Sequence, residues 1–296
     1  MSKRKISIVI LLLLFCGIAI AAFQSVPATF TNIEDGLIVW STYDFTSAKS
    51  ISGIQTSRYG DFNIYDYLRS ETYVGLSYPY KYGAKVYYTT EKQDTGEECI
   101  VERAGGETTL ILSQYGKITY KKMHDDHLYY IFENQIRKLD MSANIDTEIV
   151  NGVEPTYGFD INSIGEILYT SAFADKLMLL KPVDNTAITI CDGRAAKFID
   201  DDNIIFAESD KIYRMSLANN KTKVIKSKVN CTYILLNPAK THIIYTCLKP
   251  TPDAPDMYAF EELYVMSIDG KNHKMVNGFR RNIPDSKTYG IGWVDM

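Results

Sequence analysis

The stretch HIIYTC at residues 242–247 is one copy of a short apolar phrase that recurs along the chain, each copy with an aromatic residue at its fourth position. The copies are LIVWST (37–42), KVYYTT (85–90), HLYYIF (127–132), EILYTS (166–171), NIIFAE (203–208) and HIIYTC (242–247). Their aromatic residues are spaced by 48, 42, 39, 37 and 39 residues, a mean of 41. Repetition at about 40–45 residues, with four short strands in each unit, is typical of a β-propeller.

The segments between these phrases contain further short strands. Apolar runs that follow the later copies are CIV (99–101), QIRKL (135–139), KLMLL (176–180), KIYRMSL (211–217) and ELYVMSI (262–268). Gly, Asn, Asp and Pro bound these runs, which predicts strands joined by tight turns. No segment after the first 23 residues holds a helical period, so the chain is predicted to be all-β.

The two ends of the chain complement each other. The phrase LIVWST has no clear strand before it, whereas the C-terminal YGIGWV (289–294) reads as a first strand with no second. Pairing of the two would close the ring and remove the sheet edges that an open array exposes. We therefore predict one six-bladed β-propeller domain over residues 30–296, closed by pairing of the C-terminal strand with the N-terminal blade.

The N-terminus has the pattern of an export signal. Lys3, Arg4 and Lys5 precede an uncharged apolar run over residues 6–23, with small residues around Ala21. This order of basic, apolar and small residues is typical of a secretory signal peptide. The run of about 18 residues also reaches the lower limit for a membrane span. Residues 1–22 are thus predicted to be a cleaved signal peptide or an uncleaved anchor, and either places the domain outside the cytoplasmic membrane: periplasmic, secreted or anchored.

The composition limits the class of partner. The chain of 296 residues is 46% hydrophobic and 23% charged, as globular proteins are. Its net charge is −4, and the N-terminal segment holds three of the 32 basic residues and no acidic ones, so the remainder carries −7. An acidic surface offers no electrostatic footprint for nucleic acid or anionic lipid. We therefore expect neither as a partner.

Two stretches resemble a known family. NPAKTHIIYT (237–246) and ELYVMSIDGK (262–271) resemble the repeats of TolB-like six-bladed propellers, and KIYRMSL (211–217) is similar to the YWTD-type propeller repeats. The resemblance covers about 250 residues and rests on strand and turn signals. It implies an exported binding platform, although some propellers of this shape are enzymes.

Catalytic and cofactor motifs are absent from the sequence. It contains no nucleophile elbow, phosphate-binding loop, dinucleotide fingerprint or zinc motif, and we expect no cofactor and no bound metal. The densest group of metal-ligand types, HDDH at residues 124–127, is predicted to be a turn, because adjacent residues of an extended chain point to opposite faces. The segment DINSIG (160–165) begins like a calcium loop but lacks its later ligands, and it too is predicted to be a turn.

Four cysteines follow the N-terminal segment. Cys231 and Cys247 are equidistant from Ala239, the centre of a predicted hairpin turn, and would lie opposite each other on paired strands. In an oxidising compartment this arrangement permits a disulfide, and the alternative is two buried thiols. Cys99 and Cys191 fall in different blades and are expected to be free.

A tyrosine-rich region is the candidate ligand site. Propeller ligands bind where the loops between blades and between second and third strands gather, and the segments 43–53, 91–98 and 249–261 are expected there. Tyrosine suits contact surfaces because it is amphipathic and orders at low entropic cost. The alternative is that these are strand tyrosines that pack between blades, since tyrosine has a high β-propensity. The candidate residues are Tyr59, Tyr65, Tyr67, Tyr78, Tyr80, Asp253, Asp256 and Tyr258.

The sequence therefore predicts an exported, non-enzymatic binding module for a protein or a glycan of the cell envelope. The alternative is a propeller enzyme acting on extracellular carbohydrate, with dispersed Asp, His and Arg residues. Histidine placement separates the two, since an enzyme needs its titratable groups in one pocket.

Overall fold

The computed structural model of the chain describes residues 37–44, 51–58, 73–92, 94–104, 107–183, 185–237, 239–251, 254–279 and 286–294. Every helix or strand among them is a β-strand, and antiparallel pairing joins the strands into six sheets. No helix with the length and apolarity of a membrane span occurs in these ranges. The predicted N-terminal segment, residues 1–22, lies outside them. The all-β propeller class is confirmed.

The sheets follow the chain in order. The closing sheet consists of β1 (Leu37–Asp44), β2 (Ile51–Arg58) and the C-terminal strand. Blade 1 consists of β3 (Tyr73–Tyr82), β4 (Lys85–Lys92), β5 (Glu98–Ala104) and β6 (Glu107–Gln114). Blade 2 consists of β7 (Ile118–His124), β8 (His127–Phe132), β9 (Gln135–Asp140) and β10 (Ile145–Asn151). Blade 3 consists of β11 (Phe159–Ile161), β12 (Ile167–Thr170), β13 (Lys176–Lys181) and β14 (Thr186–Asp192).

The remaining strands complete the ring. Blade 4 consists of β15 (Arg194–Phe198), β16 (Asn203–Glu208), β17 (Lys211–Ser216) and β18 (Thr222–Ser227). Blade 5 consists of β19 (Cys231–Leu236), β20 (His242–Thr251), β21 (Ala254–Ser267) and β22 (Lys274–Phe279). The C-terminal strand of the closing sheet is β23 (Ser286–Val294).

The ring closes through the two ends of the chain, as predicted. β23 pairs antiparallel with β1, which places Ile38 opposite Trp293 and Trp40 opposite Ile291. The innermost strands β23, β3, β7, β11, β15 and β19 contact one another in that order, and β19 contacts β23. The closing sheet has three strands among the described residues, so complete four-stranded blades number five rather than six.

The recurring aromatic residue packs each blade onto the one before it. Tyr130, Phe206 and Tyr245 are at most 2% exposed. Tyr245 shares a core cluster with Ile205 of blade 4, and Tyr130 shares one with Ile100 of blade 1. Burial of large apolar side chains between blades is the main stabilising contribution in such a fold. The repeated phrase therefore specifies the contact between neighbouring blades.

The outer strand of each four-stranded blade contains a β-bulge. In blades 1 to 4 the bulge adds a contact with the following blade. One aliphatic residue of each outer strand has no cross-strand partner: Ile111, Ile149, Ile190, Ile225 and Val276. A bulge leaves one residue unpaired and bends the strand. The four isoleucines are partly buried against core clusters that include the following blade. The unpaired residue thus links each of blades 1 to 4 to the next one.

Candidate functional site

The strand order gives the ring two distinct faces. The loop face carries the connections between blades and those between second and third strands. The turn face carries the connections between first and second and between third and fourth strands, because consecutive strands are antiparallel.

The predicted ligand-site residues fall into three groups. Tyr59, Tyr65, Tyr67 and Asp253 lie outside the described residues. Tyr78 lies in β3, and Asp256 and Tyr258 lie in β21, where the structure describes the backbone alone. Tyr80 is partly buried in the innermost strand of blade 1. Burial raises its pKa to about 12, so its hydroxyl stays protonated.

Residues 249–251 and 254–261 belong to two paired strands, β20 and β21. β20 ends at Thr251, β21 begins at Ala254, and Pro250 pairs with Ala259. β21 has 14 residues, whereas β22 beside it has 6. The connection of β20 and β21 lies on the loop face, so this paired arm places Asp256 and Tyr258 on that face.

The four histidines lie at turns of the turn face. His124 and His127 flank the turn between β7 and β8, and Nδ1 of His127 lies 2.5 Å from the backbone oxygen of Asp125. His242 begins β20, and its Nδ1 lies 2.9 Å from the Thr241 hydroxyl. His273 precedes β22 and stacks on Tyr264 with ring centroids 4.8 Å apart. Burial, together with Lys226, lowers the pKa of His273.

The two metal-like segments are turns, as predicted. Asp125 and Asp126 have φ values of 46° and 59°, which are turn conformations. Asn162 closes the turn after β11, because its Oδ1 accepts from the Glu166 backbone N–H at 2.8 Å. Within the described ranges, no group of three or more His, Cys, Asp and Glu side chains is arranged to hold a metal ion.

Two tyrosines meet across the central channel. Tyr120 of β7 and Tyr233 of β19 come from blades on opposite sides of the ring, and their ring centroids are 5.5 Å apart. The Tyr120 hydroxyl donates to the Thr156 carbonyl at 2.6 Å. Gly158 has φ +69°, and a Cβ there would lie 2.7 Å from the Tyr120 ring. The pair narrows the channel, and Gly158 is required for the position of the Tyr120 ring.

A group of charged side chains, the channel cluster, lies at one level of the innermost strands. It consists of Lys122 in β7, Asp160 in β11 and Lys197 in β15. Each is paired with the residue that precedes the recurring aromatic residue in the second strand of its blade. The Asp160 carboxylate binds Lys122 Nζ and accepts from the Phe198 backbone N–H at 2.8 Å. Lys197 Nζ donates to the Phe159 carbonyl at 2.7 Å.

Burial shifts the pKa values of Asp160 and Lys197, and neighbouring charges oppose both shifts. Asp160 and Lys197 are 7% and 6% exposed, whereas the Lys122 side chain is 30% exposed. Burial lowers the pKa of Lys197 to about 8, although Asp160 opposes the shift. Burial raises the pKa of Asp160, but the two lysines and its hydrogen bonds outweigh that effect and the net direction is downward. Asp160 is therefore a carboxylate held between two cations.

The loop face exposes large aromatic side chains. Phe173, in the connection of β12 and β13, is 85% exposed, and Tyr115, between β6 and β7, is 70% exposed. Three backbone hydrogen bonds link the two loops through the connections between them, from the N–H groups of Glu133, Val153 and Ala172 to the carbonyls of Lys117, Asn134 and Gly152. We call Tyr115 and Phe173 the aromatic pair. The sequence reasoning missed it because both residues fall in short connections of otherwise regular repeats.

Cys231 and Cys247 lie opposite each other in the register of β19 and β20, as predicted. They are 0% and 1% exposed, and the structure contains no disulfide between them. Directly opposed residues of antiparallel strands have Cα atoms about 4.5–5.5 Å apart, which a disulfide can span. The bond itself stays a prediction.

Peptide mapping of unreduced protein isolated from its native compartment tests this bond. We expect one linked species that contains Cys231 and Cys247, with Cys99 and Cys191 recovered as free thiols because they lie in different blades. Recovery of separate Cys231 and Cys247 peptides would show that these residues are simply buried thiols.

Comparisons with known proteins support the fold. No family profile matches the sequence, and no curated protein is significantly similar to it. TolB from Acinetobacter baumannii is similar in structure, with a TM-score of 0.65 and 13% identity over 87% of this chain. The match covers 66% of that TolB chain. A chain in the crystal structure of the Nidogen/Laminin complex has a TM-score of 0.60 and 12% identity, with 86% of this chain and 97% of that chain covered.

The resemblance seen in the sequence is thus confirmed at the level of the fold. Identities of 12–13% carry no statement about ligands or residue roles. This chain has the β-propeller fold that TolB and the propeller of the Nidogen/Laminin structure share.

Proposed function

We propose that the chain is an exported binding module that holds a protein partner on its loop face. The observation that carries the proposal is the aromatic pair, because Phe173 and Tyr115 are 85% and 70% exposed on the same face. Aromatic residues are enriched among the residues that contribute most to protein interfaces. Solvent exposure of two such residues on one face supports a contact surface there.

The neighbouring residues suit a protein partner. Tyr157 follows β10 on the loop face, and the Arg194 guanidinium lies 5.7 Å from the centre of its ring. Arg194 also donates to the backbone carbonyls of Cys231 and Ser209, which fixes its position. Tyrosine and arginine are the other residue types that anchor interfaces. Asp256 and Tyr258 of the β20–β21 arm are proposed contacts, together with Tyr59, Tyr65, Tyr67 and Asp253.

The fold comparisons point in the same direction. One similar propeller is part of a complex with a second protein, as the name Nidogen/Laminin complex states. That contact belongs to those proteins, and it supports the proposal of a protein partner for this chain. Export rests on the N-terminal sequence pattern, and a glycan of the envelope is the alternative ligand.

The alternative of a carbohydrate-acting enzyme has lost its strongest candidates for a general base, the four histidines. His124, His127, His242 and His273 lie on the turn face and each is engaged by a neighbouring residue. They come from two separate blades, so they do not form one pocket with the loop-face segments.

Affinity capture from the cell-envelope extract tests the proposed function. We expect immobilised protein to retain a defined partner, and the Phe173→Ala/Tyr115→Ala variant to bind it at least about tenfold more weakly, because truncation of central aromatic residues costs more than 1 kcal/mol each. Binding of the identified, purified partner is then measured by calorimetry.

Val183→Ala is the matched control, since Val183 is 98% exposed but lies on the turn face. We expect it to bind as the native chain does. Retention of no protein, or equal loss in both variants, would contradict the proposal. Retention that survives protease but not glycosidase treatment would identify a glycan ligand instead.

A further inference from the structure

A groove of about 420 Å³ lies on the turn face between blades 3 and 4. Its walls come from β13, β14 and the β11–β12 turn of blade 3, and from the β15–β16 and β17–β18 turns of blade 4. Leu179, Ile188 and Leu217 give it an apolar lining. Ile188 is 46% exposed, so this lining is open to a ligand. The volume is in the range of binding clefts, about 300–1,000 Å³.

The polar lining of the groove is acidic. Glu166, Asp201 and Asp202 contribute three carboxylates, against one cation from Lys181. Asp201 accepts from the Ser163 hydroxyl at 2.6 Å, which fixes the turn. Asp202 is exposed, and its carboxylate makes no hydrogen bond within the described residues. The groove therefore favours a ligand that combines apolar groups with positive charge.

One wall of the groove is an open sheet edge. β14 is the outer strand of blade 3, and its residues 186–191 (TAITIC) carry no charge. Edge strands are usually blunted by charged side chains, and β18 follows that rule with Lys223 and Lys226. The outer strand of blade 1 is also uncharged over residues 108–113, but β14 is the one that lines this groove. An uncharged exposed edge next to a cleft suits an added strand.

We propose that β14 and this groove bind an extended segment of a partner protein that combines apolar residues with basic ones. The segment adds to blade 3 as a fifth strand, its backbone pairs with β14, an apolar side chain contacts Ile188, and a basic side chain meets Asp202. The inference rests on the proposed function as a protein-binding module and names a second surface, on the opposite face from the aromatic pair.

Fluorescence anisotropy with two labelled hexapeptides tests the site. The basic probe is KVITVK and the charge-reversed probe is EVITVE. We expect saturable binding of the basic probe to the purified chain and at least tenfold weaker binding of the acidic one. Ile188→Lys and Asp202→Lys should each weaken binding of the basic probe by about tenfold or more, since each places a positive charge in the site.

Val224→Lys is the matched control, because Val224 is 45% exposed on the outer strand of blade 4 and Ile188 is 46% exposed on that of blade 3. We expect it to bind the basic probe as the native chain does. No saturable binding, equal binding of both probes, or equal loss in Val224→Lys would overturn the proposal. Self-association that Ile188→Lys abolishes would overturn the partner assignment in favour of a second copy.

The Phe173→Ala/Tyr115→Ala variant separates this proposal from the loop-face function. We expect it to bind the basic probe normally while it loses the loop-face partner. Loss of probe binding in this variant would contradict two independent surfaces. If the native chain itself binds the basic probe but retains no loop-face partner, the proposed function is rejected and the groove remains supported.

Discussion

Asp160→Ala is expected to lower the free energy of unfolding by about 3–5 kcal/mol, the cost of leaving a buried charge without its partner. The Asp160 carboxylate favours the charged form of Lys197, which is 6% exposed, and it binds Lys122. Its second oxygen accepts from the Phe198 backbone N–H, which would also lose its partner. Urea unfolding followed by tryptophan and tyrosine fluorescence measures the change.

Two further variants make this result specific to the cluster. Glu148→Ala removes an exposed carboxylate from β10 and should change stability by no more than about 0.5 kcal/mol. Asp160→Leu/Lys197→Met removes both buried charges and should recover most of the loss, because an apolar replacement of a buried ion pair is often neutral. Equal stability of Asp160→Ala and Glu148→Ala would show that the cluster is not buried as described.

The destabilisation caused by Asp160→Ala should depend on pH, in a direction set by the pKa of Lys197. The pKa of Lys197 is about 8 in the folded chain, below its ordinary value of 10.5. Between these values the unfolded chain binds more protons, so the contribution of Lys197 to stability rises with pH. Loss of Asp160 removes a charge that raises this pKa, so Lys197 is neutral at pH 9 in the folded variant. We therefore expect the Asp160→Ala deficit to be smaller at pH 9 than at pH 7.

The repeating parts of the fold were predictable from the sequence. The phrase around Tyr130, Phe206 and Tyr245 predicts one strand in each blade, because a buried aromatic residue recurs at a fixed interval. The unpaired ends of the chain predict the pairing of β1 with β23. The register that places Cys231 opposite Cys247 follows from the symmetry of a tight hairpin. Each of these signals is local or periodic.

The site features were not predictable in the same way. Lys122, Asp160 and Lys197 are about 38 residues apart along the chain, and they meet because one strand from each of three blades lines the same channel. The aromatic pair depends on exposure, which a single sequence does not encode. One signal was available: Lys197 is a cation inside the apolar run of β15. A charge in a buried strand requires a partner, and the equivalent position of a neighbouring strand is the place to look for it.

The second large effect concerns the closure of the ring. Thr42 in β1 and Thr288 in β23 are cross-strand partners. A disulfide introduced by Thr42→Cys/Thr288→Cys, with the other cysteines replaced, would close a loop of almost the whole domain. In the chain-entropy account such a loop stabilises by up to about 5 kcal/mol, and engineered bonds commonly give less. We expect the oxidised protein to unfold at clearly higher urea than its reduced form.

The control places one cysteine out of register. Lys287 pairs with Tyr43, so Thr42→Cys/Lys287→Cys puts the two side chains on opposite faces of the sheet. We expect this variant to form little intramolecular bond. The comparison separates pairing of β1 with β23 in this register from mere proximity of the two segments.

Mass mapping of the oxidised Thr42→Cys/Thr288→Cys monomer is the most direct test that the chain is one closed propeller. We expect a single intramolecular link between these two positions, formed far more readily than in the Lys287→Cys control. Links that form equally in both variants, or only between molecules, would contradict it.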